Sequence, residues 1–193
     1  MNDCVSVPLV VDLDGTFIEE ESHCVLLRKA LLKSFPRCVR GLGILLWSGR
    51  SALKHFCAEA VQPLPVWTVR EDLVLWLRAE KALGRSLYLA TGAPACVPHA
   101  VADSLGLFEV VWTSTYAHNL VGPRKAAFLV HKFGASGFDY VGNSWQDRSV
   151  WQACRHAYLM THTRALEKWA RHHLSRASIW RGTGFRPLMV TGH

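Results

Sequence analysis

The chain has 193 residues, half of them hydrophobic and 19% charged. That is enough to bury one ordinary domain core, and it excludes a disordered, collagen-like or low-complexity polymer. Twenty-two Lys and Arg against 15 Asp and Glu give a formal charge of +7, which suggests phosphate in a partner or substrate: nucleic acid, an anionic membrane surface or a phosphorylated small molecule.

In chain order, Pro8–Asp12 reads as a buried strand running into the polar turn Asp12-Leu-Asp14-Gly-Thr16. Residues 19–65 look helical throughout, with no clear strand, and are expected to form a helical insert over a sheet. Val69–Leu83 carries apolar residues at 73, 74, 76, 77 and 83, the spacing of a helix with one buried face. Ser86–Thr91 is a second apolar run, ending in Thr91-Gly92, and Cys96–Leu105 a second helix. Glu109–Trp112 is the third strand, and Arg124–Phe133 the helix that follows Gly122-Pro123. Phe138–Gly142 is the fourth strand, ending in Gly142-Asn-Ser-Trp-Gln-Asp147, and Ala157–Met160 the fifth. Short, nearly continuous apolar strands alternating with helices predict an α/β fold, a doubly wound (Rossmann-like) parallel sheet covered on both faces.

Cysteines at 4, 24, 38, 57, 96 and 154 form no C-x-x-C and no zinc-ligand spacing, so they read as reduced thiols of a cytoplasmic protein. The amino terminus lacks the basic and apolar regions of a signal peptide, and the most apolar stretch, Leu42–Trp47, is too short to span a bilayer. Two segments combine apolar residues with Arg and Lys in the manner of interfacial helices: Arg37–Lys54 and Thr163–Arg181. In the second, Leu166, Trp169, Ala170, Leu174 and Ala177 follow helical spacing. Such a helix either packs on the domain or lies on the inner face of a membrane.

In an open α/β sheet, ligands bind at the carboxyl ends of the strands, and there the chain places Asp12, Asp14, Thr91 and the 142–147 loop, with Lys125 at a helix start. A strand-end carboxylate can attack phosphorus while a second one moves protons. Crowded acids suit Mg²⁺, and a Lys at a helix start neutralises transferring oxygens. Among ten scattered histidines, His118 precedes the Lys125 loop and is a candidate to touch substrate, whereas His131 reads as structural.

Asp-x-Asp-Gly-Thr, a strand-terminal Thr, a Lys and Gly-Asn-Ser-x-x-Asp resemble, in order and strand context, the four motifs of the haloacid dehalogenase superfamily in its phosphatase branch, over about Pro8 to Met160. The resemblance implies that Asp12 is the nucleophile and Asp14 the general acid/base. Thr91, Gly92 and Lys125 would hold the phosphoryl group, and Mg²⁺ would bind Asp12, the Asp14 backbone carbonyl, Asn143 and Asp147. It divides the chain into a catalytic core (1–18 and 66–162), a cap (19–65) and a basic carboxyl-terminal extension (163–193). Leu89-Ala-Thr-Gly92, Ala102–Phe108, Asn119–Lys125 and Phe138–Ser144 further resemble the phosphatase domain fused ahead of UbiA-family polyprenyl transferases. The implied activity is hydrolysis of a phosphomonoester, a sugar phosphate or a polyprenyl-linked phosphate. Many superfamily members carry Asp where this chain has Asn143, whose amide oxygen brings no charge. That difference leaves an alternative open: a non-catalytic, phosphatase-like partner of a membrane prenyl or phosphoribosyl transferase. Nucleic acid is not expected as a partner, since no recognition motif is present.

The charge is unevenly placed. Residues 1–147 hold 14 basic and 14 acidic side chains, while 148–193 hold eight basic residues and one acid, Glu167. The whole excess therefore follows the last motif.

Overall fold

The strand Leu9–Val11 (β1) lies in the interior of the sheet and exposes none of its three side chains. A computed structural model describes residues 7–33, 52–61, 63–115, 118–161, 163–181 and 184–188. After β1 come helix α1 (Ser22–Lys33) and helical residues 52–60 (α2), then α3 (Glu71–Ala82), β2 (Leu87–Pro94), α4 (Cys96–Leu105) and β3 (Val110–Ser114). The chain continues through α5 (Pro123–Phe133), β4 (Asp139–Gly142), a 3₁₀ turn (Trp145–Asp147), α6 (Arg148–Ala153) and β5 (His156–Leu159). It closes with α7 (Arg164–His173), β6 (Ala177–Trp180) and β7 (Phe185–Pro187).

Among the described residues, seven strands form one sheet in the order β3-β2-β1-β4-β5-β6-β7. All neighbours are parallel except β6 and β7. Strand alternation divides the apolar residues between two layers. Leu9 and Val11 point with Leu87, Leu89 and Val141 into one core, which α3, α4 and the insert cover. Val10 points with Tyr140, Ala157 and Leu159 into the other, under α5, α6 and α7. The chain builds outward from β1 in both directions, so the switch in strand order falls between β1 and β4, and their carboxyl ends open a crevice there. The fold class is the one expected: a doubly wound α/β sheet with a helical insert after the first strand.

The insert is fastened at its base. Glu19 N–H donates to Thr68 O (2.9 Å), Arg70 N–H to Phe17 O (3.0 Å), and the Thr68 hydroxyl to the Glu20 carboxylate (2.6 Å). Of the Arg37–Lys54 segment, residues 37–51 lie outside the described residues. Among the described residues, no helix is long and apolar enough to cross a membrane. Cys24, Cys57, Cys96 and Cys154 are free thiols, two exposed and two buried; Cys4 and Cys38 lie outside the described residues.

Two expectations change. First, Thr91 does not end its strand: β2 runs on to Pro94, with an irregular register between Ala90 and Pro94, and α4 begins only at Cys96. Second, the helical spacing read over Thr163–Arg181 stops at His173, and Ala177–Trp180 forms a fully buried parallel strand beside β5. The sheet therefore continues through residues read as an extension beyond the core. Leu166, Ala170 and Leu174 are buried in the α7-side core, so the apolar face of this segment is covered by its own domain.

Candidate active site

The turn after β1 sets the geometry. Asp12 ends the strand with its carboxylate at the crevice, and Gly15 turns the chain with φ of +65°. A side chain at Gly15 would also meet the Asn143 amide, whose Nδ2 lies 2.1 Å from the place a Cβ would occupy. Only glycine fits both conditions. Asp14 swings toward the insert, where its Oδ1 accepts the backbone N–H of Ser22 (2.7 Å), the first residue of α1.

Opposite Asp12, Lys125 enters from the first turn of α5, which Pro123 opens. It is 3% exposed, donates to Asp12 Oδ1 (2.6 Å) and to the Tyr140 hydroxyl (2.9 Å), and lies 5.5 Å from the Tyr140 ring centroid. Tyr140 in turn donates to Asp147 Oδ1 (2.8 Å). Asp147 Oδ2 accepts from the backbone N–H of Asn143 (3.2 Å) and Ser144 (3.0 Å) and from the Ser144 hydroxyl (3.3 Å). The Ser144 and Asp147 side chains form a reciprocal capping box over the 3₁₀ turn, which locks Asp147 beneath the loop. Gly142 lets that carboxylate approach: an added Cβ would lie 2.7 Å from Asp147 Cγ.

These groups line a cavity of about 750 Å³ with Asp12, Asp14, Gly92, Lys125, Asn143 and Asp147 in its wall. The structure thus brings together every expected site residue but one. Thr91 is fully buried beneath the cavity, where its hydroxyl accepts the Ala93 N–H (3.0 Å), and Gly92 reaches the wall in its place. His118 is exposed and outside the wall; His23, from the insert, lines it. Three further residues escaped the sequence reading. Glu21 and Lys54 come from the insert, where no motif marks them. Tyr140 looked like one more apolar strand residue, and nothing in the strand pattern marks its hydroxyl.

The electrostatics are unbalanced. Four carboxylates (Asp12, Asp14, Glu21, Asp147) share the cavity with two ammonium groups, Lys54 and Lys125. Burial raises the Asp12 carboxyl to about 7; Lys125 opposes the rise, and Asp147 and Asp14 add to it. Burial, with Asp14 nearby, raises Glu21, and burial lowers Lys54. Burial beside Asp12 and Asp147 holds the Tyr140 phenol well above its ordinary value, so it stays protonated. Among the described residues, no cluster of three or more His, Cys, Asp or Glu is arranged to hold a metal by itself. A hard cation needs less than that: Mg²⁺ keeps several waters and takes one or two carboxylates plus substrate phosphate. Asp12, Asn143 and Asp147, in a wall where carboxylates outnumber ammonium groups, offer the oxygen donors that such an ion takes.

No family model matches the sequence. The uncharacterized protein y4nM of Sinorhizobium fredii is 33% identical over 157 residues, which is 80% of this chain and 30% of that protein, so the chain spans less than a third of its relative. Among solved structures, a Bordetella pertussis protein of unknown function superposes with a TM-score of 0.63 at 12% identity, over 86% of this chain and 95% of its own. A phosphoserine phosphatase with an analogue of its phospho-aspartyl intermediate superposes with a TM-score of 0.55 at 12% identity, over 80% and 86%. The chain has the haloacid dehalogenase-like fold. The helical insert follows β1, and the crevice between β1 and β4 is the site described above.

Proposed function

We propose that the chain is a divalent-cation-dependent phosphomonoester hydrolase that works through an aspartyl-phosphate on Asp12. The observation that carries this reading is Asp12 itself: a strand-end carboxylate on the cavity wall, its Oδ1 held by Lys125 at 2.6 Å. That contact leaves Oδ2 to attack phosphorus.

Attack by Asp12 forms an oxygen–phosphorus bond as the bond to the leaving oxygen breaks. Asp14 gives that oxygen a proton, then takes one from the water that hydrolyses the acyl phosphate, which restores Asp12 and releases phosphate. Lys125 offsets charge on the phosphoryl oxygens at no reorganisation cost, because Asp12 and Tyr140 already hold it in place. Mg²⁺, held by Asp12, the Asp14 carbonyl, Asn143 and Asp147, would neutralise the excess carboxylate charge and draw the phosphate in. The Ser22 N–H on Asp14 ties the acid/base group to the first residue of α1, so placement of the cap and of the proton donor are linked.

For the substrate we propose a phosphorylated small molecule. A panel should span soluble sugar phosphates and polyprenyl-linked phosphates in vesicles, since Arg148, Arg164, Lys168 and Arg176 are all exposed. Wild type should turn over at least one member with Mg²⁺ and none with a chelator. The Asp12→Asn protein should be folded, inactive and unable to acquire a phosphoryl group detectable by mass spectrometry. Wild-type turnover by Asp12→Asn would refute the aspartyl-phosphate route.

A further inference from the structure

We propose that Tyr140 is a positioning residue that holds Lys125 and Asp147 in fixed relation across the cavity floor. It thereby sets which Asp147 oxygen meets the cation and which Lys125 proton meets the phosphoryl group. The inference rests on the phosphatase reading above and assigns a role to a residue outside the four motifs.

Proton counting supports it. Lys125 is a donor only, so the Tyr140 oxygen must accept from it at 2.9 Å. The single hydroxyl proton is then committed to Asp147 Oδ1 at 2.8 Å. The direction Lys125 to Tyr140 to Asp147 admits no reversal. At one end, Asp12 and Tyr140 use two of the three Lys125 protons, which among the described residues leaves one for a ligand. At the other end, Asp147 Oδ2 already takes three donors from Asn143 and Ser144, whereas among the described residues Oδ1 takes only Tyr140. A carboxylate oxygen offers about two lone-pair sites. Oδ1 is therefore the oxygen with a site to spare for a cation, and Tyr140 fixes the direction of that site.

Packing alone does not call for the hydroxyl. Tyr140 is fully buried in the apolar core under α5 and α6, where a phenyl ring would fill the same volume. A buried hydroxyl is costly without partners, and both partners here belong to the site. Groups behind metal ligands commonly govern affinity or activity by about 10–100-fold.

The test uses the full chain with Tyr140→Phe and Mg²⁺ as the probe. Calorimetric titration of Mg²⁺ alone should show affinity at least about tenfold weaker than wild type. On a phosphomonoester that wild type hydrolyses, kcat should fall by a similar factor, with KM within about threefold. Circular dichroism and melting should show a native fold. Unchanged Mg²⁺ affinity and kcat in the folded variant, with only the melting point moved, would make Tyr140 structural and overturn the inference. If Tyr140→Phe does not fold, 3-fluorotyrosine at 140 keeps the shape while strengthening donation and weakening acceptance. A shift in Mg²⁺ affinity then supports the inference, and none overturns it. Wild type that neither binds Mg²⁺ nor hydrolyses any phosphomonoester would overturn the phosphatase reading and this one together. Wild type that does both, matched by Tyr140→Phe, overturns this one alone.

Discussion

Asp139→Asn should separate the stability of this domain from its chemistry. Asp139 begins β4, is fully buried, and joins two guanidinium groups at the end of the sheet away from the cavity. Arg155 binds it as a fork, Nε to Oδ1 (2.9 Å) and one terminal nitrogen to Oδ2 (2.7 Å). Arg85, itself 8% exposed, pairs with the same Oδ2 while holding Glu80 (2.7 Å) and the Val7 carbonyl (2.9 Å). Neutralising Asp139 leaves the Arg85 charge buried with Glu80 as its remaining counter-charge here, and breaking a buried pair costs about 3–5 kcal/mol. The lower end applies: the Arg155 side chain is 43% exposed and can turn to water, and Arg85 keeps two other acceptors. A loss of about 3 kcal/mol in a domain of this size lowers the melting temperature by about 6–12 °C. Urea and thermal unfolding measure both quantities. Turnover at 25 °C should stay at the wild-type level, since Asp139 lies three residues, about 10 Å of strand, from Gly142. A loss below about 1 kcal/mol would mean that desolvation of the three groups cancels their attraction. Lost turnover with intact stability would place Asp139 in the mechanism. Either result would mean that Asp139 does not secure the sheet through its two guanidinium partners.

Two further predictions concern the cavity. Because burial raises the folded Asp12 value to about 7, its bound proton stabilises the metal-free protein at low pH, and that contribution is lost as pH climbs through about 7. Mg²⁺ bound at Asp12 as proposed must displace this proton, so calorimetry in buffers of different ionisation enthalpy should show release of about one proton at pH 6 and almost none at pH 8.5; equal release at both would contradict the raised value. Lys54 comes from the insert, lines the cavity and donates to the Gly92 carbonyl (3.0 Å), which places its ammonium where the proposed phosphomonoester would bind. A half-buried charged hydrogen bond of about 1.5 kcal/mol corresponds to about a tenfold rise in KM for Lys54→Met, with kcat within about threefold; steady-state kinetics with unchanged KM would remove Lys54 from substrate binding.

The uneven charge takes on a different meaning in the folded molecule. Two of the eight basic residues after Asp147 are spent inside the domain, Arg155 on Asp139 and Arg181 on Glu167 (2.8 Å). A third, Arg148, lies over the Trp145 ring with its guanidinium 5.3 Å from the centroid. Part of the excess therefore belongs to the framework of the sheet and is not held in reserve for a partner.

Asp12, Asp14, Lys125, Asn143 and Asp147 were legible from the chain because each is tied to a local event, a strand end or a helix start, that short-range patterning reveals. The strand and helix order, and with it the doubly wound fold, followed from the same periodicities. Tyr140 was not legible, because its meaning depends on a hydroxyl meeting Lys125 and Asp147, residues 15 and 7 positions away, across a packed layer. Glu21, His23 and Lys54 were not, because only docking of the insert brings them over the cavity. The clearest divide is at Ala177–Trp180. Ala177 continues the helical spacing of Leu166, Trp169, Ala170 and Leu174, and a short apolar run does not distinguish helix from strand. The unpaired edge of β5 decided the matter: Ala157, Tyr158 and Leu159 offered a hydrogen-bonding row that Ala177, Ser178 and Ile179 complete, and no pattern within the segment itself carries that information.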